Sequence, residues 1–332
     1  MNFFIKKIFD FLITLVLVSL VTFIAFNVIP GNPALIIYGP DADEVLIEQA
    51  QKEFNLDKPL YKRYFVWLSD AVKGDFGKSY RFNQSVNTLI KDSSGTTLTL
   101  ALFTIFFTAL IGFPLGIFFA TSRKKIIKKP VELFDQLWIS IPSYCTALIL
   151  ILIFTVKFSL FPSMGFVEWN ENPFECMRTI FLPSLSLALG SSAILARYLK
   201  TSFLQQKNKN YVYAALSKGL SESYVNIHHI FINAVIPVIT ISAMTITEIL
   251  GGSIIIENVF SIPGIGKLIM AAISARDFPL IQGLVMYLAT ITITCNFAAD
   301  ILYGIVDPKI RQRSWNFKKP KLTAVFKEGV SK

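Results

Sequence analysis

The sequence predicts an all-α membrane protein with six transmembrane helices and both N- and C-termini cytoplasmic. Three observations lead there. Of 332 residues, 53% are hydrophobic and only 16% charged, with mean hydropathy +0.55, too little polar surface to cover soluble domains of this size. Six apolar stretches approach the roughly 20 residues that a helix needs to cross a hydrocarbon core of about 30 Å. The basic residues also segregate along the chain in the way that orients membrane proteins. The same composition excludes intrinsic disorder. Thirty phenylalanines against two histidines argue against chemistry built on histidine bases or histidine-rich metal sites.

The predicted spans are 11–29, 97–120, 134–156, 180–196, 235–256 and 280–306, the fourth being the shortest. With the N-terminus inside, the inner segments hold 20 of the 32 basic residues, whereas the two short outer loops hold only Lys157, Arg178, Lys267 and Arg276. The other eight lie in the long 30–96 segment, mixed with nine acids, where length weakens the charge rule. The formal charge of +10 therefore reads as a topology signal rather than as a nucleic-acid-binding one. The first apolar run is too long for a signal-peptide core, and Val28-Ile29-Pro30-Gly31 offers no small-x-small cleavage site, so it is expected to be a retained helix.

Residues 43–54 suggest a short helix that Leu56-Asp57-Lys58-Pro59-Leu60 breaks, and 61–72 an amphipathic helix on the membrane surface or the bundle. Gly74-Asp75-Phe76-Gly77-Lys78-Ser79 ends like a nucleotide-binding loop, but Val72 stands where that motif needs glycine and no apolar strand precedes it. It reads as a glycine-rich turn, and no cofactor is expected in this chain. Cys145 and Cys295 fall in spans and Cys176 stands alone in an outer loop, so no disulfide framework or metal site follows.

Four acids lie in or beside spans, where ionised groups are costly. Asp135 and Asp300 near the inner face and Glu257 near the outer one are expected to reach water or a helix end. Glu248 alone is deep; it reads as a polar group lining a substrate path, a hydrogen-bonded packing residue or a proton-relay carboxylate. With Gly251, Gly252 and Ser253 it marks a candidate translocation path. Those small residues also permit close helix approach.

The inner loop between the fourth and fifth spans carries the densest pattern. Tyr211, Ala214, Ala215 and Lys218 share a helical stripe, Gly219 suits a left-handed terminus, and Ser221 can cap a second helix with Glu222 in its first turn. On that second helix Ile227, Ile230, Phe231 and Ala234 form an apolar face, and Pro237 marks the start of the next span. Two short helices bent at a glycine make either a rigid cytoplasmic knob or an interfacial helix lying on lipid.

This loop, Tyr211-Val212-Tyr213-Ala214-Ala215-Leu216-Ser217-Lys218-Gly219-Leu220-Ser221 followed by His229, Asn233 and Pro237, resembles the signature loop of permease subunits of binding-protein-dependent ABC importers. The likeness is to the first permease of the dipeptide, oligopeptide and nickel type. It extends nearly end to end, through the 56–60 and 74–79 segments, Pro114-Leu115-Gly116, Ile141-Pro142-Ser143, Leu182-Pro183-Ser184-Leu185, and Glu257-Asn258-Val259-Phe260-Ser261-Ile262-Pro263-Gly264-Ile265-Gly266. It continues through Arg276-Asp277-Phe278-Pro279-Leu280-Ile281-Gln282-Gly283 to Asp307-Pro308-Lys309-Ile310-Arg311. Asn210 and Gln205 depart from the acids that relatives carry near the loop.

The resemblance implies an N-terminal helix and extracytoplasmic loop (1–96), a five-helix permease core (97–312) with a coupling loop at 197–234, and a basic tail (313–332). It also implies a second homologous permease, two ABC ATPase subunits that bind ATP and Mg, and an extracytoplasmic substrate-binding protein. The place would be the bacterial inner membrane and the cargo peptides, nickel or metal chelates. The rival reading is an autonomous proton-coupled carrier or membrane-embedded enzyme using Glu248, with a membrane scaffold as a third.

Overall fold

The computed structural model describes residues 3–28, 58–122 and 124–306. The short helix expected over 43–54 and the tail at 313–332 lie outside the described residues. Among the described residues the fold is helical, with no sheet. The elements are α1 (Phe3–Val28), α2 (Leu60–Val72), α3 (Val86–Thr121), α4 (Lys125–Ser140) and α5 (Ser143–Leu150), which continues as a π-helical turn over Ile151–Lys157. They are followed by α6 (Pro173–Lys207), α7 (Asn210–Ser217), α8 (Glu222–Val225), a second π turn over Asn226–Phe231, α9 (Ile232–Val259), α10 (Ile265–Ser274) and α11 (Phe278–Val306).

Among the described residues four helices are long and apolar enough to cross a membrane: α1, α3, α6 and α11. Two bent pairs raise the number to six if each is one span. The expected third span is such a pair, because α4 and α5 meet at 110°. Pro142 cannot donate a backbone hydrogen bond and forces Ile141 into an extended conformation (ψ 123°), so α4 stops there and α5 restarts on the Pro142 carbonyl. The fifth bends by 51° between its lower and upper parts, just after Pro237.

The expected fourth span, the shortest of the six, proves to be the most buried of the long apolar helices. Helix α6 runs 35 residues, starts at Asn172, whose side chain caps the Phe174 and Glu175 amides, and buries residues along its whole length. Its hydropathy is diluted by Ser184, Ser186 and Ser192, yet all three hydroxyls donate back to carbonyls one turn earlier and so are buried without an unpaired donor. Their small size, with Gly112 and Gly116 of α3, lets α3 and α6 approach closely: a Cβ on either glycine would press on Leu195 or Leu199. Close approach was expected at Gly251 and Gly252. Gly252 does meet Leu187, but Gly251 faces open space.

Helix α3 begins 11 residues before the expected 97. The extra turns are too polar for a hydropathy count, but Val86 and Ile90 pack against Ile265, Ile269, Leu280 and Leu284 and extend the core beyond the apolar segment. Helix α2 forms over the expected residues and leans on α1, where Tyr64 Oη and Ser19 Oγ are 2.9 Å apart and Phe23 meets the Tyr64 ring edge-on. Much of the apolar surface of α1 is exposed.

Candidate functional site: the inner projection, the groove and the outer lock

The inner loop folds as two short helices joined at Gly219, whose φ is +82°. The Gly219 amide donates to Leu216, and Leu220 to the Ala215 carbonyl 3.4 Å away, so the glycine closes α7 as a left-handed terminus. Ser221 then accepts the Tyr224 amide at 3.3 Å. The expected stripe does not stay on one side of the boundary. Ala215 is buried, together with Val212, while Tyr211, Ala214 and Lys218 are exposed. The second helix departs from expectation in part: Ile230 and Ala234 are buried as expected, but Ile227 is exposed, and Val225, five positions before Ile230, is buried. The π turn over Asn226–Phe231 puts about five residues in a turn and so resets the buried face. Val212, Ala215, Val225, Ile230 and Ala234 pack onto Leu195, Leu199 and Phe203 of α6, which seats the projection on the bundle.

Polar contacts tie it down. The Tyr211 hydroxyl lies 3.1 Å from Gln206 Oε1 and 3.4 Å from the His229 carbonyl, which also accepts Asn233 Nδ2 at 2.7 Å. Burial pushes the Tyr211 phenol above its ordinary value, with the hydrogen bond to Asn233 opposing, so at neutral pH it is a donor. Ser202 Oγ donates to the Ala234 carbonyl at 2.8 Å. What the sequence pattern missed is the outward face: Tyr213, Leu216, Leu220, Tyr224 and Ile227 form an exposed apolar surface on this projection. They stand between the buried positions, and that interleaving is the signal that could have found them.

Pro237 is exposed on the wall of a groove between α6 and α9 that also involves Gln205, Tyr198 and Thr201. Further along the same groove a cavity of about 530 Å³ is lined by Arg197, Tyr198, Thr201, Ile241, Met244 and Glu248, among others. Glu248 is thus exposed to the groove. Gly251 shares its open side, whereas Gly252 and Ser253 turn toward the bundle, Ser253 buried with its hydroxyl on the Leu250 carbonyl.

Of three expectations about polar groups, that for Glu257 is met at a helix end, whereas those for Asp135 and Cys176 are corrected. Glu257 does not reach water: it is fully buried, accepting Thr97 Oγ1 at 2.7 Å and the Gly266 and Lys267 amides at 2.6 and 3.3 Å. Thr97 in turn accepts the Ile265 amide, so the two side chains cap the first turn of α10. Asp135 is also buried rather than in water, within electrostatic reach of Arg197 and Lys200 on α6. Cys176 lies buried in the first turns of α6 rather than in a loop. Asp300 lies within α11.

Sequence reading also missed a second outer contact. Asp277 is fully buried and accepts Ser79 Oγ (2.5 Å), the Arg81 amide (3.0 Å) and the Leu280 amide (3.3 Å). It joins the glycine turns at Gly74 and Gly77, both with positive φ, to the start of α11.

Residues 112–312 match the family described as Binding-protein-dependent transport system inner membrane component, and residues 1–101 match the N-terminal region of the same class of membrane component. A Brucella abortus (strain 2308) protein named as a peptide transport system permease is 33% identical over 306 residues, covering 92% of this chain and 98% of that one. The glutathione transport system permease protein GsiC of Escherichia coli (strain K12) is 32% identical over 313 residues, covering 94% and 100%. Among solved structures, the MetNI methionine ABC transporter in an inward-facing conformation shares the fold at TM-score 0.56 and 16% identity, over 66% of this chain and 96% of that one. The chain therefore belongs to the binding-protein-dependent transport system inner membrane components: it is a multi-pass permease subunit of a bacterial ABC importer, and ATP hydrolysis belongs to separate subunits.

Proposed function

We propose that the chain is one half of the channel of a peptide importer, crossing the membrane six times with both termini cytoplasmic and pairing with a second homologous permease. Residues 1–96 form the first span and the extracytoplasmic loop, 97–312 the permease core, and 197–234 the coupling element. An extracytoplasmic binding protein delivers the peptide. Two ATPase subunits, which bind ATP and Mg, seat on the projection formed by α7 and α8. The peptide relatives favour peptide cargo over nickel or metal chelates.

The observation that supports this reading best is the shape of the projection. It is rooted in the bundle through an apolar core, braced at Tyr211, Asn233 and Ser202, and it turns an apolar face outward. A force on that face is carried into α6 and α9, the two walls of the groove. An interfacial helix on lipid needs no such bracing. Near-complete switching between inward- and outward-open states needs about 5.5 kcal/mol of differential affinity, which ATP binding in the partner subunits supplies.

The test is Gly219→Val. A Cβ there meets nothing within 4 Å, so the substitution acts on backbone alone, at a φ that costs a β-branched residue about 1–2 kcal/mol or more. In complexes shown to contain every subunit, stimulation of ATP hydrolysis by loaded binding protein should be lost, whereas Gly219→Asn, which tolerates that conformation, should keep most of it. Normal stimulation and transport by the valine variant would remove the projection from the mechanism.

A further inference from the structure

Glu248 stands 16 residues after the start of α9 and 11 before its end, so its carboxylate lies deep in the membrane, and it is exposed on the surface of this chain. Arg197 of α6 is exposed on the same groove. Neither charge can face hydrocarbon at tolerable cost, so this side of the molecule borders water or polar matter.

The groove is built by two helical stripes. Ile194, Arg197, Tyr198 and Thr201 follow at spacings of three, four and seven on α6, and Ile241, Met244, Thr245 and Glu248 do the same on α9. A smaller cavity lined by Gln205 and Pro237 continues it toward the projection. Other nearby charges are already engaged: Lys200 Nζ is 2.6 Å from Glu132, and Asp135 is buried beside Arg197. Arg197, with Asp135 within its electrostatic reach, and Glu248 are one positive and one negative group facing the same cavity, whose volume of about 530 Å³ is that of a small-molecule site.

We infer that this cavity is a transit site for zwitterionic peptides, in which Glu248 receives the ammonium end and Arg197 the carboxylate end. The inference rests on the peptide-channel reading above. The two charges meet what all free peptides share. The remaining walls, Ile139, Ile194, Ile241 and Met244, are apolar and partly flexible, and so accept side chains that differ. The Tyr198 and Thr201 hydroxyls supply hydrogen bonds that a peptide backbone can use. A conducting site must bind weakly enough to release its cargo, and two opposite charges in an open, wet groove meet that condition.

The experiment uses the assembled complex in proteoliposomes, with Cys145, Cys176 and Cys295 replaced and a single reporter, Met244→Cys or Thr201→Cys. Cationic and anionic methanethiosulfonate reagents are the probes. At Met244→Cys the cationic reagent should react on the order of 10-fold faster than the anionic one, and Glu248→Gln should abolish that preference. At Thr201→Cys the preference should reverse, and Arg197→Gln should abolish it. Millimolar trialanine should slow both reactions several-fold, whereas trialanine acetylated at one end and amidated at the other should not. Glu248→Asp and Arg197→Lys should keep the preference and the protection, which separates charge from folding. Labelling without charge preference, or equal protection by the blocked peptide, overturns the transit site and leaves the channel intact. Failure of either cysteine to react with any aqueous reagent overturns the groove as a path, and the channel reading with it.

Discussion

The two ends of this permease, outer and inner on the proposed topology, are held together differently. At the outer end, buried carboxylates are added to an apolar core: Glu257 with Thr97 caps α10, and Asp277 clamps the 74–85 turns to the start of α11. Each carboxylate has at least three donors and no access to water. At the inner end the projection is seated by apolar packing on α6, with hydrogen bonds only around its rim. Buried polar locks tolerate little displacement, because any shift leaves a carboxylate or an amide unpaired. Apolar packing constrains contact rather than direction, so the inner end can move as one body. On the function proposed above, the contrast suits a chain that is fixed at the end where the binding protein would dock and moves at the end where the ATPases would push.

Substitutions can break that comparison. The largest effect is expected from Gly266→Ala at the outer end, because a Cβ there would collide with the backbone of Ile254 and crowd Glu257. Overpacking against backbone should cost about 3 kcal/mol or more. In the purified complex it should appear as loss of assembly by size-exclusion chromatography, and wild-type thermal stability would show that the lock is not rigid.

Next comes Asp277→Asn, which replaces an acceptor of three hydrogen bonds by an amide that can satisfy only part of them. A loss of about 1.5–3 kcal/mol is expected, read as a lowered unfolding temperature together with faster proteolysis of the 74–85 turns. Protection of those turns at the wild-type level would remove Asp277 from the clamp.

The smallest effect is expected at the inner end. Tyr211→Phe deletes the hydroxyl that approaches Gln206 and the His229 carbonyl and keeps the ring, at a cost of about 1 kcal/mol or less. Stability should hardly change, while ATP hydrolysis stimulated by loaded binding protein should fall modestly. A stability loss as large as that of Asp277→Asn would mean that the two ends are held alike.

Much of the fold was legible in the sequence, for local reasons. The apolar runs, the amphipathic α2, the glycine turns at 74 and 77, the left-handed Gly219 and the Ser221 cap depend on residues within about four positions of one another. The 257–266 and 276–283 segments were legible only as strings. Their partners, Thr97 for Glu257 and Ser79 for Asp277, are 160 and 198 positions away. Nothing local in either string announces a buried carboxylate.

By itself, then, the sequence determined that the chain is a helical membrane protein, roughly where its helices lie, and where its backbone must turn, because apolarity and turn chemistry are properties of short windows. The tertiary structure decided which helices reach beyond their apolar cores, since α3 and α6 are lengthened by contacts that hydropathy cannot register. It decided the fate of the charges as well: Glu257 is enclosed by donors from other segments, while Glu248 is left open to a cavity that Arg197 also lines. It also decided the buried face after Gly219, where one π turn leaves Ile227 outward and buries Val225 together with Ile230. A helix seats itself against its neighbours, and those neighbours are far along the chain.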